Sequence, residues 1–252
     1  MFEYDLVTLA LAVAVTLFAS VVKGAVGFAM PMIMISGLAS FLPGSEALAA
    51  LILPTLATNL MQSLRQGWTA AIATVREYRR LLVTLCLVIV VSAQAVPFVP
   101  QAIFLLAIGL PVIAFALSQL AGWQLRFDAR NRGRAEVLTG FVGGLIGGIS
   151  GVWGPPTIAL LISLGVDKRE NVRVQGVVYL IGSAMLLAAH LGSGIVNRDT
   201  LPFSAFLTIP SMIGLYIGFV IHDRLDARRF RRWTLVVLAI SGLNLVRRAL
   251  SL

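Results

Sequence analysis

The sequence has 252 residues, of which 58% are hydrophobic and 12% charged, and its mean hydropathy is +0.92. A soluble domain carries about 25% charged residues, so this composition excludes a soluble globular protein and predicts an outer surface that faces lipid. Basic cytoplasmic loops then account for the net charge of +9, and we expect no nucleic-acid partner. The single cysteine, Cys86, excludes an internal disulfide and a cysteine-cluster metal site.

Apolar segments follow one another along the whole chain. They lie at about 6–22, 28–42, 47–64, 81–97, 101–122, 135–149, 154–165, 172–191, 201–221 and 233–250. Barrel strands alternate apolar and polar residues, and runs such as residues 81–91 do not. The sequence therefore predicts an all-α polytopic membrane protein with no soluble domain. Glu3 and Asp5 precede the first segment, which is unlike a signal peptide, so we expect the first helix to be retained.

The basic residues are unevenly distributed. Most of the 20 Lys and Arg residues fall in four short clusters, at 65–80, 126–134, 168–173 and 224–232. Positive residues concentrate in cytoplasmic loops, so we expect the clusters inside and the intervening turns at 98–100 and 192–200 outside. The same reasoning places both chain termini outside the cytoplasmic (inner) membrane, although Arg247 and Arg248 count against that side for the C-terminus.

Two segments must enter the membrane and return. Residues 135–165 have a basic cluster at each end, so both ends lie inside and the turn falls near residues 148–155. Two equal arms would each be ~22 Å long, shorter than the ~30 Å hydrocarbon core, which predicts a turn within the bilayer. Residues 6–42 form the corresponding hairpin with both ends outside. Each half, 1–123 and 124–252, then contains a broken-helix hairpin plus three transmembrane helices, and the two halves are predicted to be inverted repeats.

A glycine-and-proline motif marks both turns. GAVGFAMP at 24–31 recurs as GISGVWGP at 148–155. Glycine permits unusual backbone shapes and proline lacks an N–H, so together they unwind a helix. Paired broken helices near the membrane midplane are typical of transporter sites, and helix N-termini attract anions. The alternative is close helix packing through glycines; for the corresponding pair we favour a substrate site in which the two breaks approach each other.

These motifs resemble those of the sulfite exporter TauE/SafE family, also called the four-TMS sulfur or anion transporter family. The resemblance rests on KGAVGFAMP at 23–31, and on GGISGVWGPP at 147–156 followed by GVDKRE at 165–170. It implies a duplicated helical transporter of small sulfur-containing anions such as sulfite, sulfonates or thiosulfate. The first motif departs from the family pattern, because Phe28, Ala29 and Met30 stand where more glycine is usual.

The candidate substrate-binding residues lie in the two breaks and on the helix after each. They are Lys23, Gly24, Gly27, Phe28, Pro31, Asn59, Gln62, Gly148, Ser150, Gly151, Trp153, Gly154, Pro155, Gln175 and Tyr179. Lys23 is a lone membrane cation that either neutralises an anion or reaches the interface. Ser150 can donate to an oxyanion. Trp153 either gates or packs, and the polar residues on the two following helices either contact substrate or bond between helices.

A few further polar residues are explained by structural or topological roles as well as by substrate binding. Ser183 shares one helix face with Gln175 and Tyr179. We expect an interfacial role for His190, although a proton relay is the alternative, and loop contacts for His222. Arg173 either attracts anions at the cytoplasmic mouth or serves topology. No catalytic, metal-binding or nucleotide motif is recognised, so we expect no enzyme and no cofactor.

The predicted function is a secondary transporter that exports a small sulfur-containing anion, with sulfite as the leading candidate, by alternating access. With the inside negative, moving one negative charge outward gains ~2.3 kcal/mol per 100 mV. Two alternatives stay open: a proton-coupled importer of a sulfonate or other organic anion, and a non-transporting membrane assembly protein. The expected partners are the anion (sulfite, thiosulfate or sulfonate) and the lipid bilayer, and no oligomeric state is predicted.

Overall fold

Helices make up almost all of the chain that the computed structural model describes, which is residues 4–65, 67–122, 131–222 and 227–251. Within those ranges there is no strand. The helices are α1 (Leu6–Val26), α2 (Met30–Leu38), α3 (Gly44–Leu64), α4 (Trp68–Glu77), α5 (Arg79–Ala93), α6 (Gln101–Leu120), α7 (Arg132–Ser150), α8 (Gly154–Ser163), α9 (Lys168–Gly192), α10 (Thr200–His222) and α11 (Ala227–Leu250). A single 3-10 turn, Val96–Phe98, follows α5.

Six described helical segments are long and apolar enough to cross a membrane. They are Leu6–Ala25, Gly44–Leu64, Arg79–Phe98, Gln101–Leu120, Glu170–Gly192 and Thr200–Ile221. The prediction of an all-α multi-pass membrane protein is therefore confirmed. One helix, α4, was not predicted from the sequence. It lies in the first basic cluster, and its buried Thr74 accepts a hydrogen bond from Arg173 Nε on α9 at 3.2 Å.

The two hairpins have unequal arms, so the expectation of two arms of ~22 Å is wrong. The first arms, α1 and α7, have 21 and 19 residues, or about 31 and 28 Å. The second arms, α2 and α8, have 9 and 10 residues, or about 14 and 15 Å. The first arms are longer because α1 continues through Lys23 and α7 begins inside a basic cluster at Arg132.

Each break is also narrower than the motif that predicted it. Only residues 27–29 and 151–153 lie between the paired helices. Gly27 has a φ of 91° and Gly151 a φ of 72°, in the left-handed region that glycine adopts readily. Their N–H groups donate to the carbonyls of Lys23 and Gly147, at 2.6 and 2.7 Å. Both first arms thus end in a left-handed glycine cap.

The long helices pack in pairs that cross between the two halves of the chain. α1 packs against α10, α5 against α7, α3 against α9 and α6 against α11, while α3 and α9 also contact α10 and α5. If α1, α3, α5 and α6 are exchanged for α7, α9, α10 and α11, this set of pairs stays the same. The buried core lies around α2, α3 and the break residues.

Glycines bring these paired helices into backbone contact. A Cβ on Gly24 of α1 would lie 2.8 Å from Gly218 Cα on α10. On α7, a Cβ on Gly144 would lie 2.7 Å from Val88 Cβ, and one on Gly148 would lie 2.9 Å from the Ile89 carbonyl oxygen of α5. Such small-residue contacts are the usual means by which membrane helices approach closely. Packing therefore explains why Gly24 and Gly148 are glycines.

Polar contacts close the end of the bundle that carries the N-terminus. Tyr4 donates from its hydroxyl to Glu46 Oε2 at 2.7 Å, and the Gly44 N–H donates to Gln101 Oε1 at 3.2 Å. Burial, and then the hydrogen bond to Glu46, raise the pKa of Tyr4 well above its ordinary value. The N-terminus and the starts of α3 and α6, which the charge pattern predicts on the non-cytoplasmic side, therefore lie together at one end of the bundle.

An arginine joins the end of α4 to the start of α7 at the opposite end. Arg132 donates to Glu77 Oε1 at 2.9 Å and to Glu136 Oε1 at 2.8 Å, and its guanidinium lies 4.9 Å from the centre of the Tyr78 ring. Burial, and then the Glu77 carboxylate, raise the pKa of Tyr78 to about 12, so the ring stays neutral. Glu77, Tyr78 and the start of α7 are thus held together by one cation.

Replacing Gly144 by alanine should lower thermal stability. The added Cβ would lie 2.7 Å from Val88 Cβ, and overpacking of this kind costs about 1–3 kcal/mol. Gly192→Ala is the matched control, because a Cβ there meets nothing within 4 Å. Thermal unfolding of both variants in detergent measures the difference. Equal unfolding temperatures would contradict the backbone contact between α5 and α7.

Replacing Arg132 by methionine should destabilise the protein through Glu136, which is 3% exposed. Breaking a fully buried ion pair costs about 3–5 kcal/mol. We expect about 1–3 kcal/mol here, because the Arg132 side chain is 38% exposed and water screens the pair. Arg134→Met, two residues along and exposed, is the control and should change the free energy of unfolding by less than about 0.5 kcal/mol. Equal losses in both variants would exclude a specific role for Arg132.

Candidate functional site

Residues of both breaks line one small internal cavity of about 20 Å³. The first break contributes Ala29, Pro31 and Met32, the second contributes Gly151, Val152, Trp153 and Gly154, and α3 and α9 add Asn59 and Tyr179. The prediction that the two breaks approach each other is thus confirmed. A space of this size holds on the order of one water molecule.

The breaks meet through the residues that follow their glycine caps. Gln62 donates from Nε2 to the Gly27 carbonyl oxygen at 3.0 Å. A Cβ on Gly151 would lie 3.0 Å from Leu51 Cδ1. Leu51 and Gln62 are eleven residues apart on α3, or about 16 Å. The two glycines therefore lie at different heights, and the short helices α2 and α8 begin between them.

Two helix N-termini lie at the cavity. α2 begins at Met30 and α8 begins at Gly154, and neither has a side-chain cap. Uncapped N-termini present N–H groups and partial positive charge, which favour an anion. Prolines occupy the first turn of both helices. They reduce the number of N–H donors there and make the backbone at each N-terminus rigid.

Lys23 is the cation of this region, and it is 1% exposed. Its Nζ donates to Thr58 Oγ1 at 2.9 Å and to Asn59 Oδ1. Both partners are neutral, and no described residue forms an ion pair with Lys23. The alternative in which Lys23 reaches the membrane interface is wrong, because α3 covers its side chain.

Asn59 links Lys23 to the second half of the chain. Its Nδ2 donates to the Tyr179 carbonyl oxygen at 2.9 Å and approaches Ser183 Oγ at 3.4 Å. These contacts orient the amide so that Oδ1 faces Lys23. One network therefore joins α1, α3 and α9 beside the cavity.

Two aromatic side chains form the other wall. The rings of Trp153 and Tyr179 meet edge to face with centroids 6.5 Å apart, and the Tyr179 hydroxyl lies 3.5 Å from the Gly154 carbonyl oxygen. The indole lies over Gly147 and Gly182, where an added Cβ would come within 2.7 and 2.8 Å of it. Trp153 is thus both packed and part of the cavity wall.

Several predicted site residues have their side chains engaged elsewhere. Phe28 packs edge to face on Phe115 of α6, with centroids 6.1 Å apart. Pro155 lines a separate apolar groove of about 410 Å³ formed with α6 and α7. Ser150 donates to the Ile146 carbonyl oxygen at 2.7 Å. These three residues do not line the cavity.

Three further predicted residues join the packing around the breaks. Gln175 donates from Nε2 to Asn171 on its own helix, and its Oε1 has no partner in the described part of the chain. Gly24 and Gly148 face neighbouring helices. The predicted residues that line the cavity are Pro31, Asn59, Gly151, Trp153, Gly154 and Tyr179, and Lys23, Gly27 and Gln62 bond around it.

His190, for which an interfacial role is expected, lies two residues before the end of α9, and its side chain is fully buried. Its Nε2 lies 3.0 Å from the Gly148 carbonyl oxygen and its Nδ1 lies 3.0 Å from Ser193 Oγ. A carbonyl oxygen only accepts, so Nε2 carries the proton in this contact. His190 therefore supports the end of α7 just before the second break.

The remaining polar candidates lie at the basic end or outside the described residues. Arg173 donates to Glu170 Oε1 at 3.1 Å as well as to Thr74. His222 is the last residue of α10. The neighbours expected to share its loop, Asp223 and Arg224, lie outside the described residues.

The sequence reasoning missed Ala29, Met32, Val152 and Thr58. Thr58 follows the helical spacing of the polar set Thr55, Thr58, Asn59 and Gln62 on α3, at i, i+3, i+4 and i+7. That pattern could have identified it. Ala29 carries no such signal, although it has a φ of 80°, the one positive value among the described non-glycine residues.

The chain matches a known protein family. The model of the family described as Sulfite exporter TauE/SafE matches residues 12–245, which include both breaks and every residue that lines the cavity. No curated protein and no solved structure matches the chain.

Replacing Ala29 should reveal strain in the first break. A left-handed conformation costs a non-glycine residue roughly 1–2 kcal/mol, so Ala29→Gly should preserve or raise the thermal unfolding temperature. Ala29→Val should lower it, because a β-branched side chain fits this conformation poorly. The comparison of the two variants is the measurement. A valine variant as stable as the glycine variant would mean that residue 29 does not hold a positive φ.

Proposed function

Because the chain belongs to the TauE/SafE sulfite exporter family, whose members are membrane transporters of sulfur anions such as sulfite, we propose that it exports sulfite by alternating access. The substrate site is the cavity between the two breaks, with Lys23 beside it. The membrane is the cytoplasmic (inner) membrane, with the four basic clusters inside and the N-terminus outside.

The burial of Lys23 without an acidic partner is the observation that carries this proposal. An isolated charge inside a membrane is strongly unfavourable and marks a functional site. The described partners of Lys23 Nζ are a hydroxyl and an amide oxygen, which solvate a charge without neutralising it. An anion in the adjacent cavity would supply the missing negative charge.

The other groups around the cavity suit a small oxyanion. The N-termini of α2 and α8 offer partial positive charge at two points. Thr55, on the same face of α3 as Asn59, has a buried hydroxyl without a partner in the described part of the chain. Trp153 and Tyr179 exclude water from one side, which strengthens each of these electrostatic contacts.

Transport requires the cavity to open, because about 20 Å³ does not admit a four-atom anion. The helix pairs α1–α10 and α5–α7 each combine one helix from either half and are joined by backbone contacts at glycines. Rocking one half of the sequence against the other would break both contacts. We therefore assign the movement to these cross-half pairs, with α2 and α8 as the parts that open the cavity.

Two inverted repeats, 1–123 and 124–252, are part of the same proposal. The unchanged set of helix pairs after exchange of the halves supports it. So do the matched breaks, each with a left-handed glycine cap followed by a short helix with proline in its first turn. In such an arrangement, exchanging the conformations of the two repeats converts a site open toward one side of the membrane into a site open toward the other.

The proposal predicts that Lys23→Met loses sulfite binding and transport. Hydrogen bonds to charged groups contribute about 1.5–3 kcal/mol, so binding should weaken roughly 10- to 100-fold. Sulfite flux in proteoliposomes and sulfite-dependent thermal stabilisation measure both effects. Ser211→Ala is the matched control: it removes a fully buried hydroxyl that bonds only within α10 among the described residues, and it should transport normally.

Three outcomes would overturn the proposal. If the wild-type protein neither binds nor moves sulfite, thiosulfate or a sulfonate, the assembly-protein alternative stands. If the protein accumulates the anion inside against its gradient and moves none outward under an inside-negative potential, the protein is an importer. If Lys23→Met transports as well as Ser211→Ala, the site lies elsewhere in the chain.

A further inference from the structure

The immediate surroundings of Lys23 offer two acceptors for its amine. Thr58 donates its own hydroxyl proton to the Pro54 carbonyl oxygen at 2.7 Å, so its oxygen is free to accept from Nζ. Asn59 uses its Nδ2 on the Tyr179 carbonyl oxygen, so its Oδ1 is the atom that faces Nζ. A neutral amine has two N–H donors and an ammonium has three. The described partners therefore satisfy a neutral amine and leave one donor of an ammonium without an acceptor.

No acid reaches Lys23 from the helices around it. α2, which packs against α1, has no titratable residue, and the charged residues of α11 are arginines near its ends. The titratable residues of the other neighbouring helices are Glu46 on α3, Lys168, Arg169, Glu170, Arg173, Tyr179 and His190 on α9, and Tyr216 and His222 on α10. Glu46 bonds Tyr4 at the far end of α3, and Glu170 pairs with Arg173 at the basic end.

We propose that Lys23 takes up a proton when the anion binds and releases it when the anion leaves, so that one proton travels with each anion. This inference rests on the proposed transport function and specifies its coupling. The Nζ lone pair forms the new N–H bond with a proton from water on the loading side. That bond breaks, and the proton returns to water, on the unloading side. The third N–H of the ammonium is then the donor that the anion accepts.

The coupling determines the charge that moves. A sulfite dianion with one proton carries one net negative charge across the membrane, and a sulfonate monoanion with one proton carries none. In the empty protein the amine is neutral, so the return step moves no unpaired charge through the membrane interior. The empty site is thereby free of the large penalty for an isolated buried charge, and in the loaded site the anion lies beside a cation.

Lys23→Arg separates this coupling from anion binding. Arginine keeps its proton under all ordinary conditions, so the variant holds an anion but cannot return empty as a neutral site. We expect exchange of labelled sulfite across proteoliposome membranes to remain within about tenfold of wild type. Net sulfite flux should fall by more than about tenfold relative to that exchange, because release of the charge is blocked. Ser211→Ala should keep the wild-type ratio of the two rates.

Proton uptake by the wild-type protein provides a second test that needs no arginine variant. Sulfite is titrated into detergent-solubilised protein at an alkaline pH where free sulfite is the dianion. The heat is measured in two buffers of different ionisation enthalpy. We expect uptake of about one proton per bound anion, as linkage requires. Lys23→Met should take up none, which assigns the proton to the lysine rather than to sulfite itself.

A failure of the transport function and a failure of the proton coupling give different results. If the wild-type protein shows neither exchange of labelled sulfite nor net sulfite flux, the transport function is rejected. Transport by a wild-type protein that binds sulfite without proton uptake, or net flux by Lys23→Arg at the wild-type rate, would reject the coupling alone. If the arginine variant does not fold, the wild-type titration decides the question.

Discussion

A backbone that leaves its helix inside a membrane must find protein partners for its polar groups, because lipid offers none. The architecture around both breaks follows from that requirement. The caps at Gly27 and Gly151 turn their N–H groups back onto the preceding turn. Gln62 of α3 bonds the Gly27 carbonyl and His190 of α9 bonds the Gly148 carbonyl. These two bonds account for one buried polar side chain on each of α3 and α9, the central pair of helices.

The space beside the break is filled by different side chains in the two halves of the chain. An offset of 124 aligns Lys23 with Gly147, Thr58 with Gly182, and Ala29 with Trp153. In the first half a lysine fills the space beside Thr58, and the break residue is a small alanine. In the second half the corresponding lysine and threonine positions are glycines, and the Trp153 indole occupies the space above them. Positive charge therefore comes from one half, and the second half contributes an apolar wall.

Sequence reasoning succeeded where one physical constraint dominates. Apolar length identified the helices, and the breaks followed from glycine and proline, whose backbone limits are local. It failed where a neighbour decides the outcome. Phe28 and Pro155 sit in the motifs but face α6, and His190 is buried because the end of α7 needs a donor. The helix α4 was missed because it lies inside the basic cluster at 65–80, and the positive-inside pattern identifies a side of the membrane but not a local conformation.

The glycine contacts between α1 and α10, and between α5 and α7, also bear on how the chain assembles in the membrane. Each contact joins a helix of one half to a helix of the other. A half-length chain folding alone would leave its contact faces uncovered. Both halves must therefore be inserted before either contact can form, so the closest helix packing in the protein is a late event of its biogenesis.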